Sequence, residues 1–251
     1  MARPRTRPPQ NSPSLLNPPH ASLEVSGFLP FEAELRLQGY AVVAGADEAG
    51  RGCLAGPVVA AAVVLPPDLH LEGVNDSKQL DEPTRERLAP LIRAHALAWA
   101  VAEASAAEID ALNILAASLL AMRRALERLA LKPDFVLIDG NQKIPGLRAQ
   151  RPIIKGDSLC FSIAAASILA KVERDRLMTE LAELHPGYGL ALHKGYPTPS
   201  HKAALIELGP SPIHRLTFRG VPGWESQKAA RQAPEPQPLL FADLPVRPRV
   251  R

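Results

Sequence analysis

The stretch "ADEAGRGCLAGPVV", residues 46–59, sets two acids side by side, follows them with Gly-Arg-Gly and returns to an apolar run. It is preceded by "YAVVAG" (40–45) and continues into "PVVAAAVVL" (57–65). Two short β-branched runs thus flank a glycine-rich connection, the pattern of a hairpin with a longer loop. Side chains alternate faces along a strand, so Asp47 and Glu48 cannot both serve one site from inside it. They are expected where the strand ends and Gly50 lets the chain turn.

Further along, "ALAWAVAEAS" (96–105) reads as a third strand. It follows a charged helix from Glu82 to His95 with Pro83 in its first turn, and Pro90 is expected to kink that helix or split it in two. Ser105-Ala-Ala-Glu108 has the capping-box form, and Leu112, Leu115, Leu119, Met122, Leu126 and Leu129 follow at spacings of three and four, which predicts one amphipathic helix. "PDFVLIDG" (133–140) and "RPIIKGD" (151–157) read as buried strands. Asp157 or Ser158 is then expected to cap a long helix with Phe161, Ala165, Ile168 and Val172 on one face. The order predicts an α/β fold: a mixed five-stranded sheet, three antiparallel strands then parallel β-α units, flanked by helices with a C-terminal helical extension.

The chain has 251 residues, 46% of them apolar and 22% charged, enough to bury a core in one domain with extensions or in two small domains. Both ends are proline-rich and aperiodic. The reading therefore divides the chain into a mostly disordered head (1–38), a domain (39–221) and a flexible tail (222–251). Two cysteines, Cys53 and Cys160, make no disulfide framework and are expected as small core thiols in a reducing, cytoplasmic compartment. No apolar leader follows the N-terminal arginines, and the longest apolar run, Val58–Leu65, is too short to span a bilayer, so no membrane association is expected. The net charge of +3 is unevenly spread. Residues 21–142 carry an acidic excess, while 143–219 and the two ends carry a basic one, so any basic face comes from the later part of the chain and lies against an acidic centre.

That centre is expected from Asp47, Glu48, Asp139 and Asp157, which all fall at strand ends or a strand-to-helix junction, where open α/β sheets form their sites. Taken singly, Asp157 reads as an N-cap, Asp139 as a turn former, and Asp47 with Glu48 as a solvated pair. Together they read as a convergent carboxylate cluster. Such acids held close repel one another unless cations share the site, and an oxygen-only ligand set points to Mg²⁺ or Mn²⁺ rather than zinc. Two such ions can clamp the attacking and leaving oxygens of a phosphoryl displacement. His185, His193 and His201 recur every eight residues without a zinc-ligand spacing.

The segments "DEAGRG" (47–52), "NDSKQL" (75–80), "LIDGN" (137–141), "KGDSLCFSIAAASILAKVERD" (155–175), "HKGYPTPSH" (193–201) and "GPSPIHR" (209–215) resemble, in order, those of bacterial ribonuclease HII, a family of the ribonuclease H-like fold. The resemblance spans about residues 40–219. It implies a metal-dependent endonuclease that cuts the RNA strand of RNA/DNA hybrids, and cuts 5′ to single ribonucleotides embedded in duplex DNA, leaving 3′-hydroxyl and 5′-phosphate ends. By motif position the catalytic and metal-binding acids fall on Asp47, Glu48, Asp139 and Asp157. Asp47 would be shared by two divalent ions, Asp157 would hold one, and Glu48 and Asp139 the other. The resemblance also assigns reading of the 2′-hydroxyl to Gly50, Arg51 and Gly52, and stacking on the following deoxyribose to Tyr196. Chemically this suits glycines, which let main-chain groups approach a sugar edge, with Arg51 adding charge for a phosphate. Without the resemblance, the glycine segment reads equally as a hairpin turn and Tyr196 as a loop tyrosine.

Ser77, Lys78, Lys155, Lys171, Lys194 and Arg215 are further candidates for phosphate contacts, against the ordinary reading of each cation as a solvated surface group. In the tail, "QPLLF" (237–241) resembles the peptide with which bacterial repair proteins grip the replication sliding clamp, through Gln237, Leu240 and Phe241. A monomer is expected. The competing reading from another class is a non-catalytic nucleic-acid-binding module on the same fold, which would be expected to have lost at least one acid.

Overall fold

A computed structural model describes residues 28–227. Its centre is a five-stranded sheet in the order β3-β2-β1-β4-β5. Strands β1 (Val43–Ala49), β2 (Val58–Val64) and β3 (Ala98–Ala104) form an antiparallel meander, while β4 (Phe135–Asp139) runs parallel to β1 and β5 (Gln150–Ile153) parallel to β4. This is the mixed sheet expected from the sequence. β2 is buried along its whole length and its runs of Val and Ala are apolar on both faces, because helices cover both.

On one face lies α6 (Phe161–Leu184), whose first half packs on β1 and β2, with α2 (Glu82–His95) against its outer side. The stretch Ile163–Ala170 is buried throughout, and the alanines let the helix axis come close to the sheet. Gly45 of β1 marks the closest approach: a Cβ there would lie 2.3 Å from the backbone carbonyl carbon of Ser162. Each fully buried Ile or Leu of α6 contributes about 1.5–3 kcal/mol by burial. The opposite face is covered by α4 (Ile114–Glu127), which packs on β2 and β3 through Ala117, Ala121, Met122 and Ala125. The C-terminal part adds α7 (Leu190–His193) and α8 (Pro199–Leu208) around Met178, Tyr188, Leu190 and Leu205. Among the described residues no helix is long and apolar enough to cross a membrane.

The structure departs from the sequence reading in several elements. Part of the expected head is folded: α1 (Phe31–Leu37) buries Leu35 against Val43, Leu137, Ile153 and Ile163. Pro90 does not split α2, which is one continuous helix from Glu82 to His95. Pro90 lies on the exposed face, so the carbonyl it leaves unpaired is open to water, while Leu88, Ala89 and Ile92 hold the helix to α6. The expected single helix after Ser105 is two, α3 (Ala106–Leu112) and α4, divided at Asn113 with φ 76°. The capping box at Ser105 and Glu108 is formed, and Asn113 caps α4 by accepting the Ala116 N–H at 3.1 Å. Leu112 and Leu115, read as core, are exposed because the break rotates them outward.

Asp157 does not cap the long helix. It lies inside a single turn, α5 (Gly156–Leu159), which ends at the extended residue Cys160. The Ser162 N–H at the start of α6 donates instead to Glu32 of α1, at 2.9 Å. The proposed clamp residues Gln237, Leu240 and Phe241 lie outside the described residues.

Candidate active site

Asp47 and Glu48 are still paired with β2, opposite Ala61 and Ala60, rather than beyond the strand as expected. β1 has by then parted from β4, whose last pair with it is Ala46 with Ile138. Both acids therefore border the opening between diverging strands, and Asp139 closes its other side at the end of β4. Asp157 arrives from α5, which is anchored here by the Gly156 N–H donating to Asp139 Oδ1 at 2.7 Å. Asp47, Asp139 and Asp157 each place a carboxylate oxygen within 4.8 Å of the other two.

Asp47 and Asp157 are buried. Burial, followed by the charges of Glu48 and Asp139, raises the Asp47 carboxyl well above the usual range. Asp139 is raised by burial and by Asp157. Glu48 is raised by burial too, against the pull of Arg51, whose Nη1 lies 3.0 Å from Glu48 Oε1. Glu48 thus shares the cleft but turns to Arg51 instead of joining the three aspartates. Lys78 Nζ reaches into the cluster, 2.6 Å from Asp157 Oδ2. Its burial opposes its charge, but the bond to Asp157 and the surrounding carboxylates hold its ammonium above the ordinary range. With Arg51 paired to Glu48, one ammonium faces the three aspartates, which leaves the centre negative. The all-oxygen donor set, its close convergence and the cation it already attracts fit a divalent metal.

The cleft over these acids is walled by Gly50, Arg51, Gly52, Ser77, Lys78, Lys171 and Tyr196. Gly50 has φ +97°, and a Cβ on it would lie 1.9 Å from Arg174 Nε. Arg174 is fully buried and donates to the carbonyls of Ala55, Pro57 and Lys194 at 2.9–3.2 Å. Tyr196 is 39% exposed, with Lys171 Nζ 5.5 Å and Arg174 Cζ 5.9 Å from its ring centre. Ser77 is fixed by its N–H to Ser167 of α6, 3.2 Å away.

Three candidates lie elsewhere. Arg215 is wholly buried, and its guanidinium donates to the carbonyls of Arg51, Gly56 and Pro57; burial pulls it down to about 10, and it has no path to a phosphate. It supports the glycine segment from below. Lys194 Nζ donates to Thr179 Oγ1 at 2.8 Å, and Lys155 stands exposed at the start of α5 and is not among the residues that wall the cleft. Sequence reasoning missed Arg174, because an arginine in a charged run reads as surface. Its signal was position: it follows the small-residue run of α6 that packs on the sheet. Cys53 and Cys160 are buried as expected.

A carboxylate cluster at the mouth of a mixed sheet, under a wall of bare main chain, belongs to the ribonuclease H-like phosphodiester hydrolases, and solved structures of that class match the chain. The ribonuclease H2 of Pyrococcus horikoshii superimposes with a TM-score of 0.61 and 29% identity, covering 76% of this chain and all of that one. A ribonuclease HII from Archaeoglobus fulgidus, solved as a complex with PCNA, gives 0.61 at 32% identity over 71% of this chain and 95% of that one. The sequence model of the ribonuclease HII family matches residues 44–221, and the chain belongs to that family. The Ribonuclease HII of Syntrophotalea carbinolica is 57% identical over 193 residues, 77% of this chain and 92% of the relative. The protein is accordingly a metal-dependent ribonuclease, a hydrolase.

Proposed function

We propose that the enzyme cuts the RNA strand of RNA/DNA hybrids and cuts 5′ to single ribonucleotides embedded in duplex DNA, leaving 3′-hydroxyl and 5′-phosphate ends, in the service of ribonucleotide removal in the cytoplasm. The observation that carries this reading is the convergence of Asp47, Asp139 and Asp157 within 4.8 Å, beneath a cleft wall formed by Gly50, Arg51, Gly52 and Tyr196. Asp47, Glu48, Asp139 and Asp157 would hold two divalent ions, Mg²⁺ or Mn²⁺. When bound, these supply charge stabilisation for the attacking and leaving oxygens of an in-line displacement.

The chain's own residues select the substrate. Gly50 and Gly52 present main-chain N–H and C=O groups to a ribose edge, where only RNA offers a 2′-hydroxyl. Arg51, half exposed beside Glu48, turns positive charge to the neighbouring phosphate. Tyr196 offers its ring to the next sugar, and Lys171 beside it adds a cation for the backbone. Lys78, already bound to Asp157, would be displaced towards the phosphate when ions neutralise the acids.

The test is cleavage of a labelled DNA duplex bearing one ribonucleotide, with Mg²⁺ or Mn²⁺, beside an all-DNA duplex, an RNA/DNA hybrid and the Asp47→Asn protein. Cutting on the 5′ side of the ribonucleotide, lost in the variant, is expected. Cutting of the uniform hybrid alone would confine the activity to RNA tracts, and binding without cutting would mean a non-catalytic module. In the same reading the enzyme is a monomer, and Gln237, Leu240 and Phe241 tether it to the replication clamp; the solved complex of the A. fulgidus relative with PCNA supports such tethering. A clamp pull-down unchanged by Leu240→Ala with Phe241→Ala would remove the tether.

A further inference from the structure

The segment that carries Tyr196 is held from behind by three buried histidines, none of which lines the cleft. His201, in the first turn of α8, points Nδ1 at the Tyr196 carbonyl oxygen, 2.9 Å away. A carbonyl only accepts, so Nδ1 carries the proton and Nε2 of the neutral ring does not. That Nε2 faces His214 Nε2 at 3.1 Å, which makes His214 the donor there. His214 Nδ1 is then an acceptor, and it receives the Ser211 hydroxyl at 2.8 Å and the Ser211 N–H at 3.0 Å. His193 stacks on His201 with ring centres 4.3 Å apart; it donates from Nε2 to the Tyr188 carbonyl and accepts the Gly195 N–H at Nδ1. Each ring nitrogen has a partner, and every pairing is complete with all three rings neutral. The Gly195 carbonyl accepts from the Leu54 N–H at 2.8 Å, which joins this frame to the segment after Gly50-Arg51-Gly52.

We propose that His201, locked by His214, is a positioning residue for Tyr196, and that recognition of a lone ribonucleotide depends on this neutral histidine pair. The proposal rests on the reading of Tyr196 as the residue that stacks on the substrate sugar. A uniform hybrid offers ribose at every step and tolerates several registers. A lone ribonucleotide presents one 2′-hydroxyl and must be held in one register by the glycine segment and Tyr196 together. A proton added to His201 Nε2 faces the His214 N–H, and one added to His214 Nδ1 faces the Ser211 N–H; either sets N–H against N–H and unlocks the ring that positions the Tyr196 carbonyl. Backbone hydrogen bonds at Tyr196, Gly195 and Ser211 favour the charged rings, but burial outweighs them. His193 stacks on His201, the Tyr188 ring packs on His214 at 4.8 Å, His185 adds like charge when protonated, and the neighbouring Arg215 is a cation. Lys202 and Glu207 of α8 are exposed, and among the described residues no carboxylate hydrogen-bonds to any of the three rings. Burial, then His201, pushes His214 down to about 4, and burial lowers His201 as well.

The experiment measures kcat/KM on a single-ribonucleotide duplex and on a uniform RNA/DNA hybrid, for the full chain and for His201→Asn, His201→Phe, Tyr196→Ala and the His201→Phe/Tyr196→Ala double variant, from neutral pH down to about pH 4, into the depressed histidine range. The asparagine amide nitrogen can take the place of Nδ1 and keep the donor to Tyr196, whereas phenylalanine removes it. Loss of one such bond is expected to lower the ratio of the two kcat/KM values about five- to tenfold in His201→Phe. His201→Asn should hold the ratio, and His201→Phe should add nothing once Tyr196 is alanine. As pH falls, the ratio should decline in the parent enzyme and stay level in His201→Asn; titration at the carboxylates acts on both substrates and cancels. Equal loss on both substrates, a His201→Asn protein as impaired as His201→Phe, or a parent ratio flat with pH would overturn the proposal. Should His201→Phe fail to fold, the asparagine variant and the pH profile still decide. If Tyr196→Ala leaves the ratio unchanged, the stacking reading itself fails and takes the proposal with it. If Tyr196→Ala lowers the ratio and His201→Phe does not, only the histidine chain is at fault.

Discussion

At Asp47 function and stability pull in opposite directions. Its carboxylate is buried among Glu48 and Asp139, and burial with their charges raises its pKa. In chelator-treated protein, Asp47→Asn therefore removes a repulsion. Relief of about 1 kcal/mol would raise the melting temperature by about 2–4 °C for a domain of this size. Cleavage should meanwhile fall by about 100- to 1000-fold or more, the size of one preorganised electrostatic contact. Calorimetry beside a turnover assay checks both; a variant that is less stable without metal would show that the acids do not repel as argued. Gly50→Ala should be damaging for another reason. Its φ of +97° disfavours any side chain, and the new Cβ would meet Arg174 at 1.9 Å. The four acids were legible because acids at the ends of apolar runs violate the pattern around them. Arg174, Arg215 and His201 were not, because residue type alone places arginine and histidine outside, and only the fold shows backbone carbonyls waiting for them.

Elements were legible where one strong local signal stood alone. The hairpin of β1 and β2, the strand at Ala98–Ala104 and the capping box at Ser105 each rest on alternation or on a side-chain hydrogen bond four residues wide. The break at Asn113 was not legible, because the leucine spacing runs straight through it. Its φ of 76° and the bond to the Ala116 N–H predict that Asn113→Ala costs about 1–3 kcal/mol, from a lost cap and a strained backbone. Asn113→Gly gives up the cap but relieves the strain, so urea unfolding should find it nearer to the parent. The capping box also gives α3 an acid dependence. Hydrogen bonds from Arg124 and Ser105 hold Glu108 down at about 2, against about 4.5 for a free glutamate. Its stabilisation is present above pH 4.5 and is lost as the pH falls through that window towards 2. Because the pair is about one third exposed, solvent screening keeps the effect at or below about 1 kcal/mol. Urea midpoints at pH 6 and pH 3 should therefore differ less in Glu108→Gln than in the parent. An equal difference would place the acid sensitivity elsewhere.

For the whole molecule, the acids are contributed by β1, β4 and α5, three elements that meet only at this end of the sheet. A cation bound between them ties the meander to the parallel half of the sheet and to the start of α6, so its binding free energy becomes global stability. With one effective site, free ion at about 100 times its dissociation constant adds about 2.7 kcal/mol. For a domain of this size that is a rise in melting temperature of about 5–10 °C. Mn²⁺ and Mg²⁺ titrations followed by scanning calorimetry should show it, with no such rise for a monovalent salt of equal ionic strength. The rise should vanish in Asp47→Asn, since Asp47 is one of the three convergent carboxylates. Glu48→Gln should keep part of it, because Glu48 is turned to Arg51 and stands outside that set. A rise of the same size in the parent and in Asp47→Asn would mean that the ions bind away from the cleft. An equal loss in Asp47→Asn and Glu48→Gln would mean that Glu48 leaves Arg51 and joins the aspartates when the ions arrive.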